Sequence, residues 1–152
     1  MKGIRYLFMT LNLTSLNNDT LLSEEIDLRQ ISPLTLSFVG DSVYDLMIRE
    51  YIISLGNRPV GQLNNRKVNV VNCKFQAECF SVLESHLTSE ELTVYKRGRN
   101  AEVHSTPKHA DKLDYHKATG IEALFGYLYL KKDISRLREL FRIIQSKINE
   151  NI

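Results

Sequence analysis

The sequence predicts an all-α fold, and three observations carry that expectation. Apolar residues recur at helical rather than alternating spacing along most of the chain. Proline and glycine are scarce, at 3 and 7 of 152 residues. No credible pair of strands can be traced.

Ser32-Pro33 opens the first helix, a serine cap followed by proline in the first turn. It continues through LTLSFVGDSVYDLMIREYIISL and stops at Gly56. Asn57-Arg58-Pro59 opens a second helical region reaching about His86, with an interruption or kink expected near Gly61–Asn65. Thr88-Ser89-Glu90-Glu91 is a capping box for a third helix that ends near Gly98. A loop from Arg99 to about Lys112 contains Pro107, and a further helix runs from about Leu113 to Lys132. Asp133 caps a last amphipathic helix with Ile134, Leu137, Leu140, Phe141, Ile144 and Ile148 on one face. Residues 32–152 read as one helical domain, and residues 1–31 as an N-terminal extension.

Composition narrows the class. With 43% apolar and 25% charged residues the chain is ordinary for a globular protein. No run of about 18 uncharged apolar residues exists, which excludes a membrane span. A net charge of +2 argues against a uniformly basic nucleic-acid binder, subject to where the charges sit. Cys73 and Cys79 lie six apart in one helix and point to different faces, so they form neither a disulfide framework nor a zinc site. Lys2 and Arg5 precede an apolar stretch, but Thr10, Asn12 and Thr14 break it and no small-residue cleavage site follows. A loose extension, or a start at Met9, fits better than a targeting peptide.

The chemistry is signalled by carboxylates in apolar surroundings. From Ala118 to Leu130, Glu122 is the only charged residue. An ionised carboxylate there is costly unless a cation, a metal or several donors meet it. Ser37, Asp41 and Asp45 lie four apart along the first helix and share a stripe. Gly40 adjoins Asp41 and Gly126 lies one turn after Glu122; each costs about 1 kcal/mol against alanine inside a helix. Close backbone approach is the usual reason for such a cost, and here it would bring the two helices' carboxylates together. Asp41 and Glu122, 81 positions apart, then fit a Mg²⁺ site completed by water and substrate phosphate. On pattern alone, a partnered hydrogen bond for Asp41 and an ion pair for Glu122 fit equally. Arg49, four residues on, accounts for Asp45 as an ordinary helix ion pair.

Positive charge is concentrated. Between Lys96 and Lys117 six Lys/Arg face three acids, a local +3, together with His104, His109 and His116. The KRGRN run is expected on a mobile loop where long basic side chains meet phosphates. A solvated surface loop is the plainer alternative.

GDSVYDLMIRE at 40–50, KRGRNA at 96–101, TPK at 106–108 and IEALFGYLYL at 121–130 closely resemble Mini-ribonuclease III. This is the minimal branch of the ribonuclease III superfamily, with the catalytic domain and no double-stranded-RNA-binding domain. The resemblance covers roughly residues 31–150, and four motifs in register make it specific. It implies a ribonuclease III catalytic-domain-like helical bundle acting as a homodimer that cuts double-stranded RNA with Mg²⁺, Mn²⁺ being a substitute. The ends left would be 5′-phosphate and 3′-hydroxyl, and the substrate a precursor of large-subunit ribosomal RNA. By position, Asp41 and Glu122 match the catalytic, metal-holding Asp and Glu. Two further carboxylates of full-length ribonuclease III fall on Ser37 and Thr119, and another on Leu34, so the metal should keep more water. Lys96, Arg97, Arg99, Asn100 and Lys108 would contact RNA, and Phe38 would lie near the dimer interface. With no second RNA-binding domain, affinity would come from the dimer's combined basic surface, helped by six Lys/Arg against three acids from Lys131 onward. No membrane partner is implied; the expected location is the bacterial cytoplasm or a plastid stroma. The implied chemistry is in-line attack by metal-activated water on a phosphodiester.

Two other functions compete. A non-catalytic RNA-binding or ribosome-assembly factor on the same fold would not need both Asp41 and Glu122. An all-α nucleotide pyrophosphohydrolase would need clustered E-x-x-E and E-x-x-D motifs, which are missing because Glu90 and Glu91 serve a helix cap.

Overall fold

The computed structural model describes Leu21 and residues 25–106, 108–109 and 111–152. The remaining residues of the N-terminal extension, with Lys2 and Arg5, lie outside the described residues, as does Pro107. The described chain forms six α-helices, two single 3₁₀ turns and no strand. The helices are α1 (Pro33–Ser54), α2 (Val60–Val71), α3 (Cys73–Leu83), α4 (Ser89–Arg99), α5 (Lys112–Leu130) and α6 (Ile134–Asn149). No helix among the described residues is long and apolar enough to cross a membrane.

Local chemistry sets most boundaries. Ser32 accepts from the Thr35 N–H, with Pro33 in the first turn of α1, and Gly56 takes the φ of +135° that follows its end. The expected capping box of α4 is present: Thr88 accepts from Glu91 N–H while Glu91 accepts from Thr88 N–H. Asp133 caps α6, whose buried stripe is Leu137, Leu140, Phe141, Ile144 and Ile148.

One boundary differs from expectation. The second helical region breaks at Asn72, and α2 runs unbroken through Gly61–Asn65. Asn72 is extended, accepts from Phe75 N–H and donates to the Val68 and Asn69 carbonyls, so one side chain closes α2 and caps α3. Gly61 sits in the first turn, where glycine costs little. The third helix ends at Arg99, near Gly98 as expected, and Gly98 itself packs against α5.

Helix α5 is the hub, packed against α1, α3, α4 and α6. That position explains why Glu122 is the only charged residue of α5 from Ala118 to Leu130. Tyr44 of α1 and Phe125 of α5 meet edge to face at 5.5 Å, and the Tyr44 hydroxyl donates to the Val70 carbonyl at 2.8 Å. Glycines set how closely α5 is approached. A Cβ on Gly40 would lie 1.6 Å from the Glu122 carbonyl oxygen, and one on Gly126 2.0 Å from that of Leu36. On the other side, a Cβ on Gly98 would meet the Ala123 Cβ at 2.6 Å, and one on Gly120 the Tyr95 ring at 2.7 Å. The backbone contact expected from Gly40 and Gly126 is therefore real, and α4 repeats it.

Candidate active site

The α1/α5 crossing brings side chains 81 positions apart into one pocket. Ser37 and Asp41 stand on one face of α1, flanking the turn that carries Gly40. Thr119 and Glu122 stand one turn apart on α5. All four line an open pocket of about 470 Å³. Leu34 and Phe38 complete the α1 wall, and Val103, His104, Ser105 and Tyr115 the opposite one.

Each polar group has a defined environment. Ser37, buried, donates from Oγ to Glu122 Oε2 at 2.8 Å. Thr119, also buried, donates to the Tyr115 carbonyl at 2.9 Å. The two positions at which the resemblance replaces carboxylates by hydroxyls therefore both lie in the pocket. Glu122 is half-buried and Asp41 exposed. Burial pushes the Glu122 carboxyl up to about 7 and the Asp41 charge adds to this, while the Ser37 hydrogen bond and the polar Gln76 amide pull it down.

A divalent cation fits this arrangement. Among the described residues neither Asp41 nor Glu122 has an ion-pair partner, so their repulsion is unrelieved by protein. Among the described residues no third His, Cys, Asp or Glu joins them in a metal-holding group. Two carboxylates with room for water suit Mg²⁺, which keeps much of its hydration shell. Of the alternatives left open by pattern, the ion pair for Glu122 is absent.

The sign of the Glu122 shift makes a prediction. Its folded value, about 7, lies above the ordinary 4.5. Ionising it in the folded state therefore opposes folding: the penalty is absent below about pH 4.5, grows with rising pH and is complete above about 7. In metal-free buffer, Glu122→Gln should raise the urea midpoint near pH 8 and leave it nearly unchanged near pH 4. The upper limit is roughly 3 kcal/mol. Equal midpoint shifts at both pH values would contradict the raised Glu122 carboxyl.

Other residues singled out in the sequence sit elsewhere. Asp45 pairs with Arg49 and, at 3.2 Å, with Lys67, which hold it below the usual carboxylate range against the opposing effect of burial. Lys67 is the partner that helix spacing did not reveal. Lys96, Arg97 and Arg99 lie in the last turn of α4 and not on a loop, with Asn100 as C-cap. Cations there complement the helix dipole. Lys96 and Arg97 are exposed; Arg99 is half-buried, lies 5.9 Å from the Tyr95 ring centroid and donates to Asn100 Oδ1 at 3.1 Å. Lys108 is exposed on the following loop. Of the three histidines only His104 lines the pocket. Phe38 is 80% exposed and lines both this pocket and an adjoining apolar groove with Val39, Leu46 and Met47.

Much of the C-terminal positive charge is committed within the molecule. Arg136 pairs with buried Glu91 at 2.8 Å and with Glu139 at 2.9 Å, Lys131 with Glu90 at 3.3 Å, and Lys147 with Glu78 at 3.0 Å. Arg138 and Arg142 are left exposed without an ion pair among the described residues. Burial pushes the Cys79 thiol up to about 12 and also raises Cys73, helped by the Glu122 charge, which disfavours the thiolate at both.

Gln76 was missed. It is 1% exposed on α3, between buried Phe75 and Ala77, and its amide favours the ionised form of Glu122. An uncharged amide between Phe75 and Ala77 on a helical stretch was the available signal.

Comparison with known proteins follows the same residues. The family model for the ribonuclease III domain matches residues 34–133, a stretch that contains both Asp41 and Glu122. A Thermoanaerobacter protein named Mini-ribonuclease 3 is 40% identical over 135 residues, covering 89% of this chain and 94% of that protein. An Enterococcus faecalis protein of the same name is 40% identical over 126 residues, covering 82% and 96%. A crystal structure of a Fusobacterium nucleatum protein superposes with a TM-score of 0.71 at 29% identity, covering 79% of this chain and 98% of that one.

Proposed function

We propose, from the premise that this chain belongs to the ribonuclease III family and is an endoribonuclease, that it cuts double-stranded RNA at the Asp41–Glu122 pocket with Mg²⁺. The observation that carries this reading is one open pocket holding two carboxylates and no protein cation beside either. A divalent cation held by the pair supplies Lewis acidity for attack of water on the phosphodiester and countercharge for the leaving oxygen. Ser37 restrains Glu122 through Oε2, and exposed Asp41 faces the substrate side. No side-chain nucleophile is required; expulsion of the 3′-oxygen, as the resemblance to Mini-ribonuclease III implies, leaves 5′-phosphate and 3′-hydroxyl ends.

The substrate is duplex RNA read mainly by shape across its wide minor groove. A large-subunit ribosomal RNA precursor is the natural candidate, on the resemblance to Mini-ribonuclease III. The bacterial origin of the relatives supports action in the cytoplasm. Lys96, Arg97, Arg99, Asn100 and Lys108 supply phosphate contacts. A homodimer through α1 accounts for exposed Phe38, Leu46 and Ile53, at 80, 48 and 58% exposure. With Arg136, Lys131 and Lys147 engaged in ion pairs, the C-terminal stretch adds Arg138 and Arg142 to the basic surface of the α4 end and its loop.

Incubation with duplex RNA at low salt tests the function: cleavage with Mg²⁺, abolished by chelator, is expected, and an intact duplex would refute it. Arg97→Ala should weaken RNA binding and reduce the salt slope of log K by about 1, the signature of one lost phosphate contact. Arg97 is a cleaner test than Arg99, whose truncation also removes the contact with Tyr95. An unchanged slope would leave the α4 terminus facing solvent.

A further inference from the structure

A pocket that takes a phosphodiester needs hydrogen-bond donors, and most polar side chains at the α1/α5 crossing have none to spare. Asp41 and Glu122 carry carboxylates, which when ionised only accept and which repel a phosphate until a cation sits between them. The single hydroxyl protons of Ser37 and Thr119 are already committed, to Glu122 Oε2 at 2.8 Å and to the Tyr115 carbonyl at 2.9 Å. The side-chain donors that remain in the pocket lining are His104, Ser105 and Tyr115. His104 and Ser105 are exposed on the loop after α4, whereas Tyr115 stands on α5 itself.

Helical register gives Tyr115 its place. Tyr115, Thr119 and Glu122 follow at i, i+4 and i+7, so they form one stripe of α5 along the pocket wall. Seven residues of helix rise about 10 Å, which sets Tyr115 two turns from the carboxylate, further along the wall from the reacting bond. Its body is half-buried, with the ring edge-on to His116 at 6.4 Å. Its hydroxyl has no hydrogen-bond partner among the described residues. A phenol with an anchored ring and an uncommitted tip suits a partner that is polar and wet. A bond from it to an ionised acceptor such as phosphate is stronger than one between neutral groups.

We propose that Tyr115 is a substrate-binding residue: its hydroxyl donates to the backbone phosphate next to the one cut at Asp41 and Glu122, and holds the strand in register with that pair. This role rests on Asp41 and Glu122 forming the active site.

The test is Tyr115→Phe in the full chain, which removes the hydroxyl and keeps the ring. With duplex RNA at saturating Mg²⁺, KM should rise about 10-fold. The loss should fall on KM more than on kcat, because the contact is made in the bound substrate and kept through the reaction. The salt slope of log kcat/KM should match wild type, since a neutral donor releases no counterion, in contrast to Arg97→Ala. The melting temperature should stay level, and calorimetric binding of Mn²⁺ without RNA should not change. A wild-type KM overturns the proposal. So does a raised KM that comes with a fall in melting temperature, which marks packing, or with weaker Mn²⁺ binding, which marks a disturbed carboxylate pair. Asp41→Asn and Glu122→Gln are assayed alongside. If both cut like wild type, the active site lies elsewhere and the role of Tyr115 falls with it. If both are inactive while Tyr115→Phe keeps the wild-type KM, the role of Tyr115 alone fails.

Discussion

Asp41→Asn and Glu122→Gln should each lower the rate of duplex cleavage by at least ~10³-fold, or about 4 kcal/mol of barrier, while leaving the protein folded. Both replacements keep the size of the side chain and remove its charge. The amide introduced by Glu122→Gln would still offer a carbonyl oxygen to the Ser37 hydroxyl, which now donates to Oε2 at 2.8 Å. Asp41 is exposed, so its amide analogue buries nothing new. The combination is diagnostic: activity collapses while stability stays level or, for Glu122→Gln above about pH 7, increases. A general unfolding defect would lower both together. Rates measured with the melting temperature of the same samples decide the matter, and wild-type cleavage by either variant would remove the pair from catalysis.

Gly40→Ala should be the most destabilising single-methyl addition in the protein, with a loss above ~4 kcal/mol. The added Cβ would lie 1.6 Å from the Glu122 carbonyl oxygen and 2.7 Å from the Gly126 nitrogen. Both are backbone atoms of α5, so no side-chain rotation relieves the clash, and α1 and α5 must separate. That is a large share of the 5–15 kcal/mol that holds a typical domain together. Gly126→Ala meets the Leu36 carbonyl oxygen at 2.0 Å and should behave alike. Gly61→Ala is the control: nothing lies within 4 Å of its Cβ in α2, so it should stabilise by roughly 0.5–1 kcal/mol. Urea midpoints of the three variants provide the check. A Gly40→Ala protein with a wild-type midpoint would mean that the helices do not cross there.

These glycines show how far the sequence could be read. Gly40 and Gly126 stood out because each sits inside an apolar helix beside an acid. Gly98 did not, because a glycine after a capped helical run and before basic residues is a common helix stop. It stays helical because α5 lies against it, with the Gly120 Cα 3.0 Å from where its Cβ would be. The break between α2 and α3 was misplaced for a related reason. Gly61 is a strong local breaker, whereas Asn72 acts through a side chain that bonds to both helices at once.

Electrostatics divides in the same way. The Asp45–Arg49 pair was legible because its members lie one turn apart. The partners of Arg136 and Lys131, 45 and 41 residues away, were not, so charge counted as free for RNA is instead engaged by Glu91 and Glu90. Burial raises the Glu91 pKa, yet Arg136 and the Thr88 amide outweigh it and hold that carboxylate below its usual range. Glu91 was legible as a capping residue but not as half of a buried ion pair.

The amino-acid sequence by itself determined the helical class, the caps and the conspicuous carboxylates Asp41 and Glu122, because propensity, capping and amphipathic period are properties of neighbouring residues. The tertiary structure alone decided that Gly98 and Gly120 mark a second crossing, which C-terminal cations remain free, and that Ser37 donates to Glu122. Those outcomes depend on backbones and charges meeting through space across tens of residues, a separation over which local pattern carries no information.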